Sequence, residues 1–418
     1  MESGSTADVI VVGAGLAGLR CALELEASGL DVLVVEAADA VGGRIRTDDV
    51  DGFLVDRGFQ LLNPAYPELA SCVDVDALAL QSFAAGAVAL ADDGSRVRLG
   101  HPLRAPGLLA PTLAAGGRRP GEVVALLRWL GPLLVPHPRR TLVDVLGARR
   151  GASRGAALDR AGADGFLRRV LDGFLAGVLL EDDGSTAEVF TLLLLEMFVR
   201  GVPGVPREGM QALPEQLARR LARPVVLGSP VEHVEGRAVL AGGARHTARA
   251  VVVATGGTDA AGLVGVEAPA PKGVVTTWWA ADHAPDTAGL LHVDGRARRG
   301  GPLVNCAVVS DAAPSYAPSG RHLVQGSALL GDARDTTEAS ARRHAGELLG
   351  ADPSSWEVVA RHEVPHALPA QPAPYTGRRP VDLGDGLFVC GDHRDTGSIQ
   401  GALVSGRRAA AGVVASLR

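Results

Sequence analysis

The first 47 residues constrain the fold more than any other part of this chain. The apolar, β-branched run at residues 8–12 predicts a buried parallel strand. It leads directly into a GxGxxG loop at residues 13–18, and then into residues 19–25, whose periodicity is helical. A second apolar strand, residues 32–35, ends at Glu36, about 23 residues after the first glycine. Strand, glycine loop, helix, strand and acid in this order predict a dinucleotide-binding βαβ unit.

Each residue type in this unit has a physical reason. Gly13 permits the tight turn, and Gly15 lets backbone N–H groups approach a pyrophosphate at the positive end of the helix. Gly18 lets the helix pack closely on the strand. Glu36 is placed to bind a ribose 2′-hydroxyl and to repel a 2′-phosphate. We therefore expect cofactor contacts from Gly13, Gly15, Leu16, Ala17, Gly18, Glu36 and Ala37.

Composition describes a globular protein and excludes several function classes. The 418 residues are 47% apolar and carry a net charge of −6, without a dense basic run, so we expect no nucleic-acid partner. The four cysteines are distant in sequence and form no CxxC pair, which argues against a metal knuckle and favours reduced thiols in a cytoplasmic protein. The first seven residues lack the features of a signal peptide.

Two apolar stretches bear on membrane contact. Residues 123–135 are interrupted by Arg128 and Pro132, and residues 189–199 contain Glu196. Both are shorter than the roughly 20 apolar residues of a membrane-spanning helix. They are expected to be buried helices, and peripheral membrane contact is the minor alternative.

Further nucleotide-binding elements occur in two later segments. Apolar strands are predicted at residues 225–227 and 250–254, with a hairpin between them formed by residues 231–234 and 237–240. Near the end, residues 386–392 form a strand that delivers an acid, and a helix opens at residues 397–402. The sequence predicts an α/β fold in which a Rossmann-like cofactor domain is discontinuous, comprising residues 1–63, 205–265 and 375–418.

The two inserts, residues 64–204 and 266–374, are predicted to form a second, α+β substrate domain. The first insert is interpreted as mainly helical. The second contains β-like runs at 274–280, 303–309 and 322–330, followed by a helix at 337–349.

With these segments in place, the chain resembles the superfamily of flavin-dependent amine oxidases, phytoene desaturases and protoporphyrinogen oxidases. Residues 42–47 (GGRIRT) match the family's GGR-x-x-T element, and residues 56–60 (DRGFQ) are similar to its turn beside the flavin. Residues 209–214 are similar to the turn and helix before the central nucleotide segment. Gly391-Asp392 and residues 398–402 match the terminal flavin-binding element.

The resemblance implies non-covalent FAD, since no Cys or His matches the family's attachment sites. Arg44 after two glycines suits a diphosphate, and Asp392 at a strand end suits a ribityl hydroxyl. The turn at 398–401 would direct a helix N-terminus at the flavin pyrimidine edge. The further cofactor residues are predicted to be Gly42, Gly43, Arg44, Gly58, Phe59, Gln60, Val231, Thr255, Gly391, Asp392, Ser398, Ile399, Gln400 and Ala402.

The substrate side carries no strong catalytic signature, and no metal site is expected. Lys272, the only lysine, follows two prolines and precedes Gly273, so we expect it in a turn before the strand rather than facing flavin N5 as in amine oxidases. Thr276 is the better match to that family position. Trp278 and Trp279 must point to opposite faces of the strand.

Other features favour an apolar substrate over an amine. Ser398-Ile399 provides no aromatic ring for a cation–π cage, and residues 366–371 are similar to carotenoid desaturases. In the loop after Gly391-Asp392, His393 could exchange protons and Arg394 could hold an anion, or both could belong to an ordinary solvated loop.

These features leave three functions open. The leading interpretation is an FAD-dependent oxidoreductase that transfers hydride from the carbon of an apolar, isoprenoid-like or conjugated small molecule to flavin N5, with oxygen or a quinone as electron acceptor. The alternatives are an amine oxidase that produces imine and hydrogen peroxide, and a flavin-binding sensor or carrier without turnover.

Overall fold

The computed structural model describes residues 6–101, 104–134, 147–283, 285, 287–331 and 334–418. Its helices are α1 Leu16–Ala27, α2 Leu69–Cys72, α3 Leu109–Gly117, α4 Pro120–Leu134, α5 Arg154–Ala161, α6 Phe166–Leu179, α7 Glu188–Arg200, α8 Ala212–Ala218, α9 Gly257–Val264, α10 Val309–Ala312, α11 Glu338–Leu349 and α12 Ile399–Leu417. Its strands are β1 Thr6–Val12, β2 Val32–Val35, β3 Thr47–Val50, β4 Phe53–Asp56, β5 Gln81–Ser82, β6 Gly86–Leu90, β7 Arg96–Gly100, β8 Gly204–Val205, β9 Val231–Glu235, β10 Ala238–Ala241, β11 Ala244–Val253, β12 Pro271–Ala281, β13 Leu291–Asp294, β14 Leu303–Val308, β15 His322–Leu330, β16 Glu357–Pro369, β17 Asp382–Gly384 and β18 Leu387–Val389.

The first large sheet draws its strands from three distant parts of the chain. Its main path is β17-β18-β11-β1-β2, and the β9–β10 hairpin extends from β11. The pairs β2–β1, β1–β11 and β11–β18 are all parallel. Such strands are buried on both faces, which is why their sequences are continuously apolar. The predicted α/β class with a Rossmann-like sheet from discontinuous segments is confirmed.

The second large sheet has the order β16-β12-β15-β14-β13-β6-β7. Its pairs are antiparallel except β13–β6. One face packs on α11, where Trp279 lies in a core with Leu303 and Trp356. On the other face, Trp278 joins the core of the first sheet, as its position next to Trp279 predicts. The second sheet is therefore fixed against the cofactor half of the molecule.

Three elements of this sheet were not predicted, namely the β6–β7 hairpin, the short strand β13 and the edge strand β16. The hairpin β6–β7 lies in the insert that was interpreted as mainly helical, and Asp93-Gly94 stands at its turn. Asp-Gly between two strands is a strong hairpin signal, but the small residues of β6 gave a weak alternation. The long edge strand β16 was also missed, because Pro365 breaks its pattern.

The prediction that Lys272 lies in a turn is wrong. The residue does not lie in a turn but is the second residue of β12, where it opposes Leu368 of β16. Pairing with β16 begins at Pro271, which tolerates its missing N–H at the first strand position. The predicted strand at 225–227 is also reduced to a single bridge, between Val226 and Val35.

The apolar stretch at 123–135 forms α4 within the described residues, but it is not fully buried as expected. Val124 is 55% exposed and Leu127 is 49% exposed. Residue 135 lies outside the described residues. The stretch at 189–199 forms α7, whose first half is buried. In the part of the chain that is described, no helix combines the length and apolarity needed to cross a membrane.

Candidate cofactor and substrate site

The glycine loop leaves the N-terminus of α1 open for an anion. Helix α1 begins at Leu16, its cap residue Gly15 supplies no side-chain cap, and its first turn contains no acid. The first N–H groups of a helix have no acceptor within the helix. A Cβ built on Gly15 would meet no described atom within 4 Å, whereas one on Gly18 would collide with the Gly13 carbonyl oxygen. Gly18 is thus required by packing, and Gly15 borders free space that suits a pyrophosphate.

The Glu36 carboxylate lies beside this loop. Its Oε2 accepts the Ala14 N–H at 2.7 Å and its Oε1 accepts the Ala38 N–H at 2.9 Å. The Glu36 backbone carbonyl accepts the Ser229 N–H at 2.9 Å, two residues before Val231. The structure therefore brings Glu36, the glycine loop and the Val231 segment together, as an adenosine pocket requires.

Arg44 and Asp392 connect the second and third cofactor motifs. Arg44 Nη2 lies 2.7 Å from Asp392 Oδ1, and its Nη1 donates to the Ala367 carbonyl at 2.7 Å. Gln60 Nε2 donates to the Arg44 carbonyl at 2.7 Å. A Cβ on Gly43 would lie 3.4 Å from Gly15 Cα, so the GGR loop touches the glycine loop.

The N-terminus of α12 faces the same region. Ser398 caps this helix by accepting the Gly401 N–H at 3.1 Å, and the first turn contains no acid. The Gln400 Oε1 accepts the Glu68 N–H at 2.9 Å. A Cβ on Gly397 would lie 3.2 Å from the Pro369 carbonyl, so β16 closes one side of the slot. The N-termini of α1 and α12 both lack acidic residues, and Arg44 and Asp392 are paired between them. These features fit a bound dinucleotide flavin.

The remaining predicted cofactor residues lie around these four segments. Thr255 follows β11 and lies next to both Gly13 and Gly391. Phe59 packs edge-to-face on Phe83, with ring centroids 5.6 Å apart. Ile399 and Ala402 are partly exposed in the first turn of α12, and Ala37 is exposed beside Glu36. Their contact with a cofactor stays a prediction.

His393 is more buried than a solvated loop residue. It is 1% exposed, and neither ring nitrogen has a hydrogen-bond partner among the described residues. Burial lowers the pKa of His393 to about 4. The ring is therefore neutral at pH 7 and packs against Gly257 and Gly391. The Arg394 guanidinium donates hydrogen bonds to the backbone carbonyls of Pro380 and Glu267, which leaves it less suited to hold an anion.

A strip of neutral polar side chains crosses the second sheet next to the slot. Thr276 Oγ1 is 2.9 Å from Ser327 Oγ, which donates to Gln325 Oε1 at 3.2 Å. Gln325 Nε2 donates to Asn305 Oδ1 at 3.1 Å. All four side chains are buried, and we call them the polar strip. On the same face, Val274 lies 3.8 Å from the position of a Cβ on Gly58, which places the strip one strand pleat from the flavin turn.

Most of the polar strip was missed from the sequence. Of its four residues, the sequence analysis singled out only Thr276, as the match to the lysine position of amine oxidases. Gln325 and Ser327 alternate with apolar residues inside a strand that is otherwise continuously apolar. Polar residues at period two within such a strand were an available signal.

Asp56, the last residue of β4, connects the small β3–β4 hairpin to two other segments of the chain. Its Oδ1 accepts from Thr47 Oγ1 at 2.6 Å and from the Met210 N–H at 3.0 Å. Its Oδ2 accepts from Tyr316 Oη at 3.0 Å, in the connection between β14 and β15. Burial, opposed by these hydrogen bonds, raises the pKa of Asp56 to about 6.

Lys272 is held away from the slot by the helical insert. Its Nζ donates to Thr186 Oγ1 at 3.0 Å and to the Leu179 carbonyl at 3.3 Å. Burial lowers the pKa of Lys272, while the carboxylates of Glu181 and Asp183 act in the opposite direction. Its ammonium thus already has partners outside the flavin region.

The fold and these motifs define a flavoprotein class, and comparison with known proteins gives the family. Residues 16–414 match the model of the family described as flavin containing amine oxidoreductase. The chain belongs to this family. The predicted superfamily resemblance is therefore confirmed.

Individual relatives differ in their substrates. The chain is 34% identical to putrescine oxidase of Kocuria rosea over 290 residues, which are 60% of this chain and 57% of that protein. It is 56% identical to hydroxyneurosporene desaturase of Rubrivivax gelatinosus over 50 residues, which are 12% of this chain and 10% of that protein. The chain thus matches less than two thirds of the length of these curated relatives. A solved structure of putrescine oxidase bound to putrescine has a TM-score of 0.69 at 20% identity, covering 99% of this chain and 100% of that one. That likeness shows the fold.

Proposed function

We propose that this protein is an oxidoreductase that binds FAD non-covalently and oxidises a neutral, largely apolar small molecule. When bound, FAD supplies an acceptor at N5 for a hydride from substrate carbon. The residues of the chain bind and orient the two molecules. Oxygen or a quinone would then take the electrons from the reduced cofactor.

The cofactor half of this proposal rests on four segments that converge on one slot. The free start of α1 suits the pyrophosphate, and Glu36 suits the adenosine ribose. Arg44 and Asp392 are paired at 2.7 Å. With FAD bound, Arg44 would also bind the diphosphate and Asp392 would accept a hydrogen bond from a ribityl hydroxyl. The start of α12 would stabilise negative charge on the flavin pyrimidine ring.

The part of the proposal that concerns the substrate rests on the polar strip, whose side chains are all neutral. Thr276, Ser327, Gln325 and Asn305 offer hydroxyl and amide groups and no charge. Their neighbours on this face are apolar, including Val274, Leu329 and Val304. A buried cationic substrate would need a paired carboxylate, which the strip does not contain. A mostly apolar molecule with one neutral polar group fits this face best.

An amine oxidase is the second candidate, and one observation favours it. The 34% identity with putrescine oxidase covers 60% of this chain, far more than the desaturase match. An amine reacts as its neutral form, so the polar strip does not forbid such a substrate. The absence of a lysine on the strip and of an aromatic residue at 398–399 argues against the usual amine oxidase arrangement.

Anaerobic reduction of the bound flavin separates these candidates. The purified protein is mixed with a panel of apolar unsaturated compounds and a panel of amines, and bleaching of the flavin absorbance is followed. We expect an apolar compound to bleach the flavin and Gln325→Leu to raise its KM, while FAD content is unchanged. Reduction by amines alone, with peroxide formed on readmission of air, would establish the second candidate. Bleaching by neither panel would favour a binding protein without turnover.

A further inference from the structure

The helical insert exposes an unusual surface on its two consecutive helices α3 and α4. The exposed large side chains are Leu109, Leu113, Val124 and Leu127, and Leu113 is 64% exposed. The helices contact each other, since a Cβ on Gly116 would lie 3.4 Å from Val123. In the segment before α3, Arg104 donates to the carbonyls at the end of α7, where Val199 is 49% exposed. We call residues 104–128 together with Val199 the α3–α4 surface.

The charges of this surface have one sign. Arg104, Arg118 and Arg128 are exposed, whereas no acidic residue between 104 and 134 is. The single acid of this range, Glu122, is half-buried and caps α6 by accepting the Leu167 N–H at 2.6 Å. This sign is opposite to the net charge of −6 of the whole chain.

A cavity at the edge of the surface continues the basic character. It has a volume of about 490 Å³ and is lined by Arg128, Arg149 and Arg160. One carboxylate, Glu188, also lines it and is paired with Arg149 at 2.8 Å. Trp129 lies in the wall with its indole N–H buried and without a partner among the described residues. The excess of guanidinium groups over carboxylates suits a phosphate-bearing headgroup.

We propose that the α3–α4 surface docks on an anionic lipid bilayer. Exposed leucine and valine side chains enter the boundary between headgroups and acyl chains, and the arginines bind lipid phosphates. A protein partner would need acidic side chains to match the arginines, and burying those charges is less favourable than contact with a hydrated headgroup layer. The helices lie on the bilayer and do not cross it, in agreement with their length. This inference is independent of the proposed reaction.

Vesicle flotation tests the docking directly. The full protein is mixed with vesicles of phosphatidylcholine, with or without phosphatidylglycerol, at low and high salt. We expect binding to the phosphatidylglycerol vesicles that weakens with salt, and much weaker binding to phosphatidylcholine alone. R118Q and R128Q should each reduce binding about fivefold, and L113Q/V124Q should reduce it about tenfold or more.

Matched controls exclude general effects on charge, apolarity and folding. Val358 is 50% exposed on β16, and Arg219 is exposed directly after α8, so V358Q and R219Q make the same changes elsewhere. We expect both controls to bind like the parent, with circular dichroism and FAD content the same for all variants. The proposal is overturned if the parent ignores anionic vesicles, if the controls weaken binding equally, or if light scattering shows that L113Q/V124Q dissolves a dimer without changing lipid binding.

Discussion

At the scale of single residues, Glu36 shows how one carboxylate can organise a cofactor loop. It accepts two backbone N–H groups, from Ala14 and Ala38, and so ties the glycine loop to the segment that follows β2. A ribose hydroxyl that donates to this carboxylate would therefore meet an acceptor that is already positioned. The proposed ribose contact and the local order would then depend on the same side chain.

Glu36→Ala should weaken FAD binding about tenfold to a hundredfold, because a hydrogen bond to a charged group contributes about 1.5–3 kcal/mol. Equilibrium dialysis followed by FAD fluorescence measures the change. An FAD analogue without the adenosine 2′-hydroxyl separates the two roles of Glu36. It should bind more weakly than FAD to the parent and equally with FAD to the variant. If the analogue loses the same affinity in both proteins, Glu36 does not contact the ribose.

Lys272→Met should leave the rate of anaerobic flavin reduction within about threefold, a barrier change below ~1 kcal/mol. The reason is that the ammonium is bonded to Thr186 and Leu179 of the helical insert. The loss should instead appear in stability, at about 1–3 kcal/mol, because Glu181 loses a counter-charge. Stopped-flow absorbance and urea unfolding measure the two effects. A hundredfold slower reduction with FAD still bound would restore the amine oxidase role of this lysine.

Asp56 should make stability depend on pH. The folded state holds the pKa of this carboxyl near 6, above its ordinary value of 3.8, so the folded protein binds the proton more tightly than the unfolded chain. The contribution of Asp56 to stability is therefore present at low pH and is lost as pH rises from about 4 to about 6, by at most about 3 kcal/mol.

Asp56→Asn should remove this dependence. Urea unfolding of both proteins at about pH 4.5 and about pH 7 gives the comparison, in which all other titrating groups cancel. The free energy of unfolding of the parent, relative to the variant, should be higher at the lower pH. Equal pH dependence in both proteins would show that Asp56 is already ionised at the lower pH.

At the scale of elements, the two glycines at the start of α1 have different duties. A Cβ on Gly15 meets open space, and its φ of −73° is ordinary for alanine. A Cβ on Gly18 collides with the Gly13 carbonyl and would push α1 away from β1. Stability and cofactor binding can therefore be separated within one helix start.

Gly15→Ala should fold with parent stability and bind FAD at least about tenfold more weakly, since its methyl group occupies the pyrophosphate approach. Gly18→Ala should lose about 2 kcal/mol or more of folding stability. Thermal unfolding of the protein without FAD and a flavin titration give both quantities. Full FAD affinity in Gly15→Ala would place the pyrophosphate elsewhere.

Elements whose sequence patterns are local could be predicted, whereas elements that depend on distant pairing could not. The first βαβ unit, α11 and α12 are encoded by contiguous patterns and were predicted. The β6–β7 hairpin is local but was missed, because several small residues blur its alternation. Strand β16 was missed because its partner β12 is far along the chain and Pro365 interrupts its pattern. Lys272 was misplaced for the same reason, since only the distant β16 shows that β12 begins at Pro271.

The cofactor motifs could be located individually from the sequence, but their contacts could not. Arg44 reaches Asp392 across 348 residues of chain and Ala367 across 323. The polar strip likewise depends on the register of β12, β15 and β14. The register between distant strands is a tertiary property, and it cannot be derived from the hydrophobic periodicity or the strand propensity of each segment alone.

At the scale of the whole molecule, the slot lies where two sheets meet. The first sheet supplies the helix starts and Glu36, and the second supplies Ala367, Val274 and the polar strip. Arg44 bonds the Ala367 carbonyl of β16, and Asp56 at the end of β4 bonds Tyr316 in the connection between β14 and β15. Cofactor binding should thus stabilise the whole protein, since elements of both sheets line the proposed slot.

The identity and attachment of the bound flavin test this account most directly. The protein is purified, denatured with acid, and separated into precipitate and supernatant, and the flavin in each is identified by chromatography and mass spectrometry. We predict a yellow protein that releases FAD into the supernatant at close to one FAD per chain, with no flavin left in the precipitate. A colourless protein that takes up no FAD, a nicotinamide cofactor in its place, or flavin retained in the precipitate would contradict the account.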